Sequence, residues 1–379
     1  MDIKDIREKI DGIDDELLSL FLKRMNLSEE VAKYKIEAGV PITNSSRERE
    51  ILTKVVEKSG DMESYSYHLF NTLFHLSKAR QCELIKKESR VAEKVRQALE
   101  NGEDVFPRTG SVACQGVEGS NSHAACEKLL PHGSIMYFKT FESVFDAVSS
   151  GLCKYGVLPI ENSSNGSVRS VYNLLKDRDF MIVRSTRLCI RHHLLVKPGT
   201  KLEDIREIHS HEQAIGQCSE FLSKLGDKVT VVPCGNTALA AKTVKESEGN
   251  HIAAISSARC AEIYGLESLS EGIQNNDNNY TRFICITKKP TIYAGANKIC
   301  FVVGCENKPG ALYEVLSRLA ILGVNMSKLE SCPVQGRDFE FTFILEIDAS
   351  VREKGVMSML EELELTGDSF KFLGNYSEV

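Results

Sequence analysis

The sequence has no excess of positive charge: 47 Lys and Arg face 53 Asp and Glu, for a formal net charge of −6. That excludes the basic footprint of a nucleic-acid binder. A small anionic substrate stays open, because a site needs only local positive charge. No apolar run comes near the ~20 residues a membrane-spanning helix requires. None of the 12 cysteines stands in a C-x-x-C pair, and the first residues enter a charged helical pattern directly. The expectation from that usage is reduced, mostly buried thiols in a cytoplasmic protein. What is present is ordinary for a globular chain: 379 residues, 42% hydrophobic and 26% charged. Such a length suits two or three domains, each with its own core.

Helical periodicity runs from residue 3 to 38, with no proline and with Gly12 as the lone glycine. Ile3, Ile6, Ile10, Ile13, Leu17 and Leu20 recur at steps of three and four, which is one helix face. The rhythm continues through Arg24, Leu27, Val31 and Tyr34. At 1.5 Å per residue this helix would extend ~54 Å. That is more than a small domain covers, so a partner chain is expected to complete its core. Gly39 and Pro41 end the helix, and two more are expected over 46–59 and 64–99. The segment reads as all-α, an intertwined helical dimer.

A polar stretch with Gly102, Pro107 and Gly110 looks like a linker. Beyond it, apolar runs at 111–115, 155–160, 180–190, 193–196, 229–233, 252–256 and 282–287 read as strands. Helical windows such as 141–149 and 213–225 lie between them. The alternation predicts a two-lobed α/β domain with a mainly parallel sheet. Ligands in such folds sit beyond strand ends or between lobes. The final unit predicts strand 298–305, helix 309–322, strand 325–331, a turn at 333–338, strand 339–348, helix 351–363 and strand 370–376. This is the βαββαβ order of a ferredoxin-like fold.

Arg24 occupies a place where the apolar stripe predicts Leu or Ile, so it either snorkels to water or meets an anion. Lys35 lies eleven residues later, close to three whole turns, which sets both cations on one face. Arg7 points elsewhere on the helix, as if toward a second copy. Ser77 and Gln81 are one turn apart, as are Asn44 and Glu48 across the next helix start. Taken singly, Arg7 and Lys35 read as solvated surface charges and Gln81 as a surface amide.

Together the set resembles the AroQ-type chorismate mutases, over residues 3 to about 90. The resemblance implies that Arg24 and the partner subunit's Arg7 bind the substrate's two carboxylates. It further implies that Lys35 and Gln81 hydrogen-bond the ether oxygen and that Glu48 takes the ring hydroxyl. Ser77 assists at a carboxylate, and Arg47 lies beside the cluster. A pericyclic rearrangement needs no nucleophile and no proton transfer. It needs a dianion clamped in a folded conformer and donors aimed at the oxygen that gains charge. Asn44 stands where the family often has Asp, which leaves only a neutral contact to the hydroxyl.

Four motifs mark the middle segment. The stretch from Gln115 to His123 follows a strand and opens a helix, placing Ser120 and Ser122 where backbone N–H groups bind anions. Residues 159–168 end a buried strand in a polar turn, and residues 210–217 do the same before another helix. Residues 279–283 bring Thr281 and Arg282 to the start of a strand. Singly, each is a capped helix or a polar turn. His192, His193, His209 and His211 have no Cys or Glu in a zinc spacing, and no G-x-S-x-G elbow follows a strand.

These motifs together resemble prephenate dehydratase over residues 109–289, with Thr281-Arg282-Phe283 as the hallmark triplet. The resemblance implies that Thr281 is the catalytic acid. It would protonate the departing ring hydroxyl as carboxylate loss and aromatisation push electrons toward it. Threonine is a weak acid, so local hydrogen bonds and a strongly downhill reaction must help. Glu161, Asn162, Ser210 and Gln217 match family active-site positions, and so does Thr237. Arg282 stays open between substrate contact and structural support. Asn121 replaces an aromatic residue common in the first motif.

Residues 297–379 resemble an ACT domain of the dehydratase type. Gly310, Ala311 and Leu312 sit between strand and helix, and Glu330 and Ser331 precede Cys332 and Pro333. Alone, the first stretch is a tight turn whose glycine lets backbone approach a ligand. The resemblance implies that both stretches enclose phenylalanine at a dimer interface and mediate feedback inhibition. Cys332 replaces the usual Arg, which is expected to alter affinity or coupling.

The expected boundaries are 1–100 for the mutase helices, 101–108 for the linker, 109–289 for the dehydratase and 297–379 for the ACT domain. The dehydratase segment is expected to resemble type-II periplasmic-binding folds. Three families in this order imply a cytoplasmic enzyme taking chorismate to prephenate and then to phenylpyruvate. It would act as a homodimer or dimer of dimers, with no cofactor or metal. Two rival readings stand beside it: a dehydratase whose helical segment serves only dimerisation, and a non-catalytic ACT-linked sensor.

Overall fold

The computed structural model describes residues 2–40, 44–84, 89–305, 307, 310–333 and 341–379. The chain divides into two compact units: Met1–Lys94 with Phe301–Lys371, and Val95–Cys300 with Phe372–Val379.

In the first unit, α1 (Ile3–Ala38) is the long helix the periodicity predicts. Gly39 closes it at φ 65°, a left-handed turn that glycine adopts without strain. Pro41 lies outside the described residues. Helices α2 (Ser45–Ser59) and α3 (Glu63–Leu84) pack on each other, and α3 also lies along α1. Only Ser28 and Ala32 of α1 are buried. The stripe Ile3, Ile6, Ile10, Ile13, Leu17 and Leu20 remains 39–61% exposed.

The helix expected over 64–99 is instead two, α3 and α4 (Arg90–Glu100). Ser89 makes the restart, because its hydroxyl accepts the Ala92 N–H at 3.1 Å as an N-cap. The Glu364 carboxylate accepts the Ser89 hydroxyl and the Val91 N–H at 2.8 and 3.2 Å.

The second unit opens with β1 (Thr109–Gln115), α5 (Asn121–Leu129), β2 (His132–Phe138), α6 (Phe141–Ser149) and β3 (Tyr155–Asn162). Then come β4 (Gly166–Ser167), α7 (Arg169–Asp177), β5 (Met181–Cys189), β6 (His193–Val196) and β7 (Glu207–Ser210). The segment closes with α8 (Glu212–Gln217), α9 (Ser219–Leu225), β8 (Thr230–Pro233), α10 (Thr237–Glu246), β9 (Ile252–Ser256), α11 (Ala258–Tyr264), β10 (Glu267–Ser270) and β11 (Tyr280–Thr287). Two sheets result, β2-β1-β3-β11-β5 and β10-β6-β9-β7-β8, so the two lobes of the sequence reading are present.

The expectation of a mainly parallel sheet is corrected to mixed sheets. β1 is parallel to β2 and β3, whereas β11 is antiparallel to both β3 and β5. The cause is connectivity: β5 leads out to the second lobe and β11 returns from it, so the two strands must run oppositely. In the second lobe, Leu194 and Val196 enter one core and Leu195 the other, as a strand covered on both faces requires. The single helix expected over 213–225 is two short ones. Asn275 wedges the break: its N–H donates to the Gln217 carbonyl at 2.7 Å, and its Oδ1 accepts the Glu220 N–H at 3.1 Å.

The C-terminal segment contains β12 (Lys298–Cys305), α12 (Ala311–Ile321), β13 (Asn325–Pro333), β14 (Phe341–Asp348), α13 (Val356–Thr366) and β15 (Ser369–Glu378). The βαββαβ order stands. α13 starts at Val356 rather than Val351, because Gly355 turns left-handed at φ 86° just before it. The turn expected at 333–338 lies outside the described residues beyond Pro333.

Candidate functional site

In the helical part, α1, α2 and α3 bring most of the expected mutase residues together. Arg24 Nη1 donates to the Leu73 carbonyl at 3.0 Å and makes a short hydrogen bond to the Ser77 hydroxyl. It also stacks over the Phe74 ring, 5.7 Å from its centroid. Burial pushes the Arg24 pKa down from its ordinary value. Lys35 Nζ donates to Gln81 Oε1 at 3.0 Å. With its oxygen taken by Lys35, Gln81 presents its amide N–H groups as the free-facing end. An ammonium and an amide donor therefore sit side by side. Ser77 and Gln81 are each 6% exposed, so Gln81 is not the surface amide that it reads as when taken singly.

Glu48 behaves differently from its neighbours. Both its oxygens meet Lys78 Nζ, at 3.1 and 3.2 Å, and Lys78 is buried. Sequence reasoning missed Lys78, although it lies between Ser77 and Gln81. Asn44 is the N-cap of α2, its Oδ1 accepting the Arg47 N–H at 3.0 Å. Arg47 is exposed and pairs with Glu50 at 2.6 Å. Arg7 is exposed on α1, and no described residue of the cluster is shown touching it.

In the second unit, strand register assembles the dehydratase candidates. Thr281 lies opposite Asn162, and Arg282 opposite Glu161, where β11 pairs with β3. Asn162 Oδ1 accepts the backbone N–H groups of Ser164 and Asn165 at 3.0 and 3.1 Å. That fixes which end of the amide is oxygen. Asn162 Nδ2 consequently donates, to Thr281 Oγ1 at 2.9 Å and to Asn279 Oδ1 at 2.9 Å. Asn279 Nδ2 then donates to Gln217 Oε1 at 3.0 Å, and His192 Nε2 lies 2.9 Å from the same oxygen.

The polarity propagates along the chain. Gln217 Oε1 must accept from both sides, so His192 carries its proton on Nε2. Burial lowers the His192 pKa, which keeps it neutral. At the other end, Asn162 occupies a lone pair of the Thr281 oxygen, and the Thr281 O–H proton is left to point away. A hydroxyl so held is a donor in waiting. Asn279 and His192 were not among the expected site residues. Asn279 could have been found, because it stands just ahead of β11, two residues before Thr281.

The remaining expected residues are less closely tied to this network. Ser210 is fully buried, its hydroxyl donating to the Ile255 carbonyl at 2.8 Å within its own lobe. Thr237 opens α10, which Asn236 caps through the Leu239 N–H at 2.7 Å. Ser120 caps α5 through the His123 N–H at 3.2 Å, and Ser122 is buried in the first turn. Arg282 is buried, 3.4 Å from Glu161 and 3.7 Å from Glu378. Three of the four histidines named above have side-chain or backbone partners, and His193 is buried. His209 meets Glu207 at 2.9 Å, and His211 caps α8 through Gln213.

In the C-terminal segment, Gly310 stands at φ 86° before α12, with Ala311 and Leu312 in the first turn. Glu330 pairs with Lys328 at 3.5 Å on β13, Ser331 is exposed, and Cys332 is buried. Among the described residues, no helix is long and apolar enough to cross a membrane.

Three protein families match the chain in order. Chorismate mutase type II matches residues 6–82, prephenate dehydratase 112–291 and the ACT domain 301–360. The bifunctional chorismate mutase/prephenate dehydratase of Escherichia coli K12 is 30% identical over 380 residues, covering 98% of this chain and 95% of that protein. A solved prephenate dehydratase from Arthrobacter aurescens, in complex with L-Phe, is 28% identical with a TM-score of 0.65. It covers 70% of this chain and 89% of its own. A structure described as GqqA, a novel type of quorum quenching acylase, is 30% identical at the same TM-score. It covers 71% of this chain and 98% of its own. Full-length similarity and the order of the three domains give one conclusion: the chain belongs to the bifunctional chorismate mutase/prephenate dehydratases.

Proposed function

We propose that the chain converts chorismate to prephenate at a site built by α1, α2 and α3, and prephenate to phenylpyruvate at Thr281. Arg24 and Ser77 would take a substrate carboxylate, and the partner subunit's Arg7 the other. Lys35 and Gln81 donate to the ether oxygen as its C–O bond breaks, which is where electrostatic help lowers the barrier. Glu48, beside Lys78, and Asn44 would meet the ring hydroxyl, with Arg47 at the margin. At the second site, loss of the ring carboxylate as CO₂ drives electrons into the ring. The C–O bond to the hydroxyl breaks, and the Thr281 O–H supplies the proton that makes it water. Asn162, Glu161, Gln217 and Thr237 would surround the substrate, with Ser210 supporting them from within its lobe and Ser120 and Ser122 at the α5 N-terminus toward the anionic end.

The observation carrying this reading is the fixed direction of the hydrogen bonds at Thr281, which leaves its proton for a substrate. The proposed domains are 1–100, 109–289 and 297–379, with 101–108 as linker, in a cytoplasmic enzyme. Phenylalanine would bind at Gly310, Ala311, Leu312, Glu330 and Ser331 and inhibit. The exposed α1 stripe supports a dimer. Burying its half-exposed Ile and Leu side chains would gain on the order of 5–10 kcal/mol per protomer. An acylase reading would leave the matched residues 6–82 without a role.

The test is chorismate alone with purified protein, following chorismate, prephenate and phenylpyruvate over time. Accumulating phenylpyruvate supports both activities on one chain, and its suppression by phenylalanine supports the effector. Chorismate left untouched while added prephenate is consumed would reduce the helices to an assembly element.

A further inference from the structure

The end of the chain is bound into the strands that hold the dehydratase candidates. Ser377 and Glu378 of β15 pair parallel with Arg184 and Ser185 of β5. The Val379 N–H donates to the Ser185 carbonyl at 2.9 Å, and the Thr186 hydroxyl donates to the Val379 carbonyl at 2.6 Å. Gly374, at φ 151°, lies so near β5 that a Cβ there would stand 2.2 Å from the Ile182 carbonyl oxygen. Tyr376 and Asn375 are buried. Residues 374–379 are thus held firmly on β5.

Its last charged group reaches Arg282. Arg282, 5% exposed, follows Thr281 on β11 and faces Glu161 across β3 and Arg187 across β5. Arg282 Nη2 stands 3.4 Å from Glu161 Oε2, and Nη1 stands 3.7 Å from Glu378 Oε2. Glu378 is itself held by Arg187 Nε at 3.0 Å and by the Ser185 hydroxyl at 3.4 Å. One buried guanidinium thus spans two carboxylates, one on each side. A buried guanidinium that loses one of two carboxylates turns its fork onto the other, the geometry both groups prefer.

We infer that Glu378 is a positioning residue of the dehydratase. By holding one side of Arg282, it keeps Glu161 from closing onto the guanidinium as a bidentate pair and leaves that carboxylate turned to the substrate. The inference rests on the proposed placing of Glu161 and Thr281 at that site.

The experiment uses the full-length chain with Glu378→Gln, Glu378→Asp, Glu161→Gln and the double Gln variant. Prephenate turnover is read in each, with chorismate turnover and thermal midpoint as fold controls. Glu378→Gln is expected to lower dehydratase kcat about tenfold to a hundredfold, the scale of an ångström-sized misplacement. Glu378→Asp, which keeps the charge, is expected to restore most of the loss. In the Glu161→Gln background, Glu378→Gln is expected to cost less than about twofold, because the two act through one another.

Two results would overturn the inference alone. One is a Glu378→Gln dehydratase close to the parent while Glu161→Gln is slow. The other is a fall in mutase turnover and thermal midpoint together with dehydration, in the Asp variant as in the Gln variant. A Glu161→Gln enzyme as fast as the parent would instead remove the site reading on which the inference stands.

Discussion

Asn162→Asp isolates the polarity argument, because it exchanges one NH₂ for one oxygen and changes little else in shape. Asp at 162 could still accept the Ser164 and Asn165 N–H groups at 3.0 and 3.1 Å. The three Nδ2 donations, to Thr281 Oγ1 and Asn279 Oδ1 at 2.9 Å and to the Tyr280 carbonyl at 3.3 Å, would become oxygen–oxygen contacts. Thr281 relieves its contact by turning its O–H onto the new carboxylate, which withdraws the proton from the substrate. Asn279 relieves its own by reversing its amide, and that sets oxygen against Gln217 Oε1. The mismatch passes on to Gln217 and His192, while the contact with the Tyr280 carbonyl at 3.3 Å has no such relief.

Loss of a positioned acid costs roughly 10²–10⁴ in rate, or about 2.7–5.4 kcal/mol at 1.36 kcal/mol per tenfold. The mismatched contact should cost stability too, about 1–3 kcal/mol. For a unit this size that is a fall of roughly 2–12 °C in thermal midpoint. Phenylpyruvate formation from prephenate reads the rate, and chorismate consumption by the same sample controls for folding. Dehydration within about threefold of the parent, with the mutase intact, would refute the assigned direction of these hydrogen bonds.

Thr281→Ala is expected to lose dehydration by at least about a hundredfold while mutase turnover is kept; loss of both in a folded protein would contradict separate sites. Arg24→Ala reverses the pattern, with chorismate turnover collapsing and prephenate consumption near the parent. Unchanged mutase kinetics would favour a helical segment kept for assembly. Ile10→Lys and Ile13→Lys together should shift the sedimenting species toward the monomer, and an unaltered species would mean the α1 stripe is not the interface. Burial lowers the pKa values of His75, His192 and His193 below 6.5. The unfolded chain therefore binds protons at these residues that the folded chain resists. Their contribution to stability is full above pH 6.5 and is lost as pH falls below it. Calorimetry from pH 8 to 5.5 should show a falling midpoint, less steep in His193→Phe; a flat or rising midpoint would count against this.

Much of this was legible because local spacing suffices for it. The α1 stripe needs only steps of three and four, and the Arg24–Lys35 face follows from helix pitch. The Thr281 strand was readable from its apolar continuation. Other features depend on residues far apart in the chain. The break at Cys218 is made by Asn275, so the stretch over 213–225 looks like one helix when read alone. β2 is harder to read, because its apolar stretch is only the four residues 135–138 and its side chains are partly or fully exposed. Lys78 looks like a surface lysine until α2 supplies Glu48. His192 reads as a core residue or a stray ligand until Gln217 arrives from α8. The contact between Glu378 and Arg282 joins the chain's end to a strand laid down much earlier, and no local pattern encodes it.

The network behind Thr281 has a consequence for how the reaction is supplied. Converting prephenate to phenylpyruvate, CO₂ and water consumes one proton per turnover, since hydroxide would otherwise leave. Three side-chain amides, those of Asn162, Asn279 and Gln217, separate Thr281 from His192. Amides orient a hydroxyl well but do not pass protons along, and the imidazole beyond them is kept neutral. The interior is therefore an insulator. With Thr281 as the proposed acid, whatever recharges it after each cycle would have to come from the substrate's side, through the water that replaces the departing product. Product escape and proton supply then share one doorway, and a closed, dry site could fire once but not again.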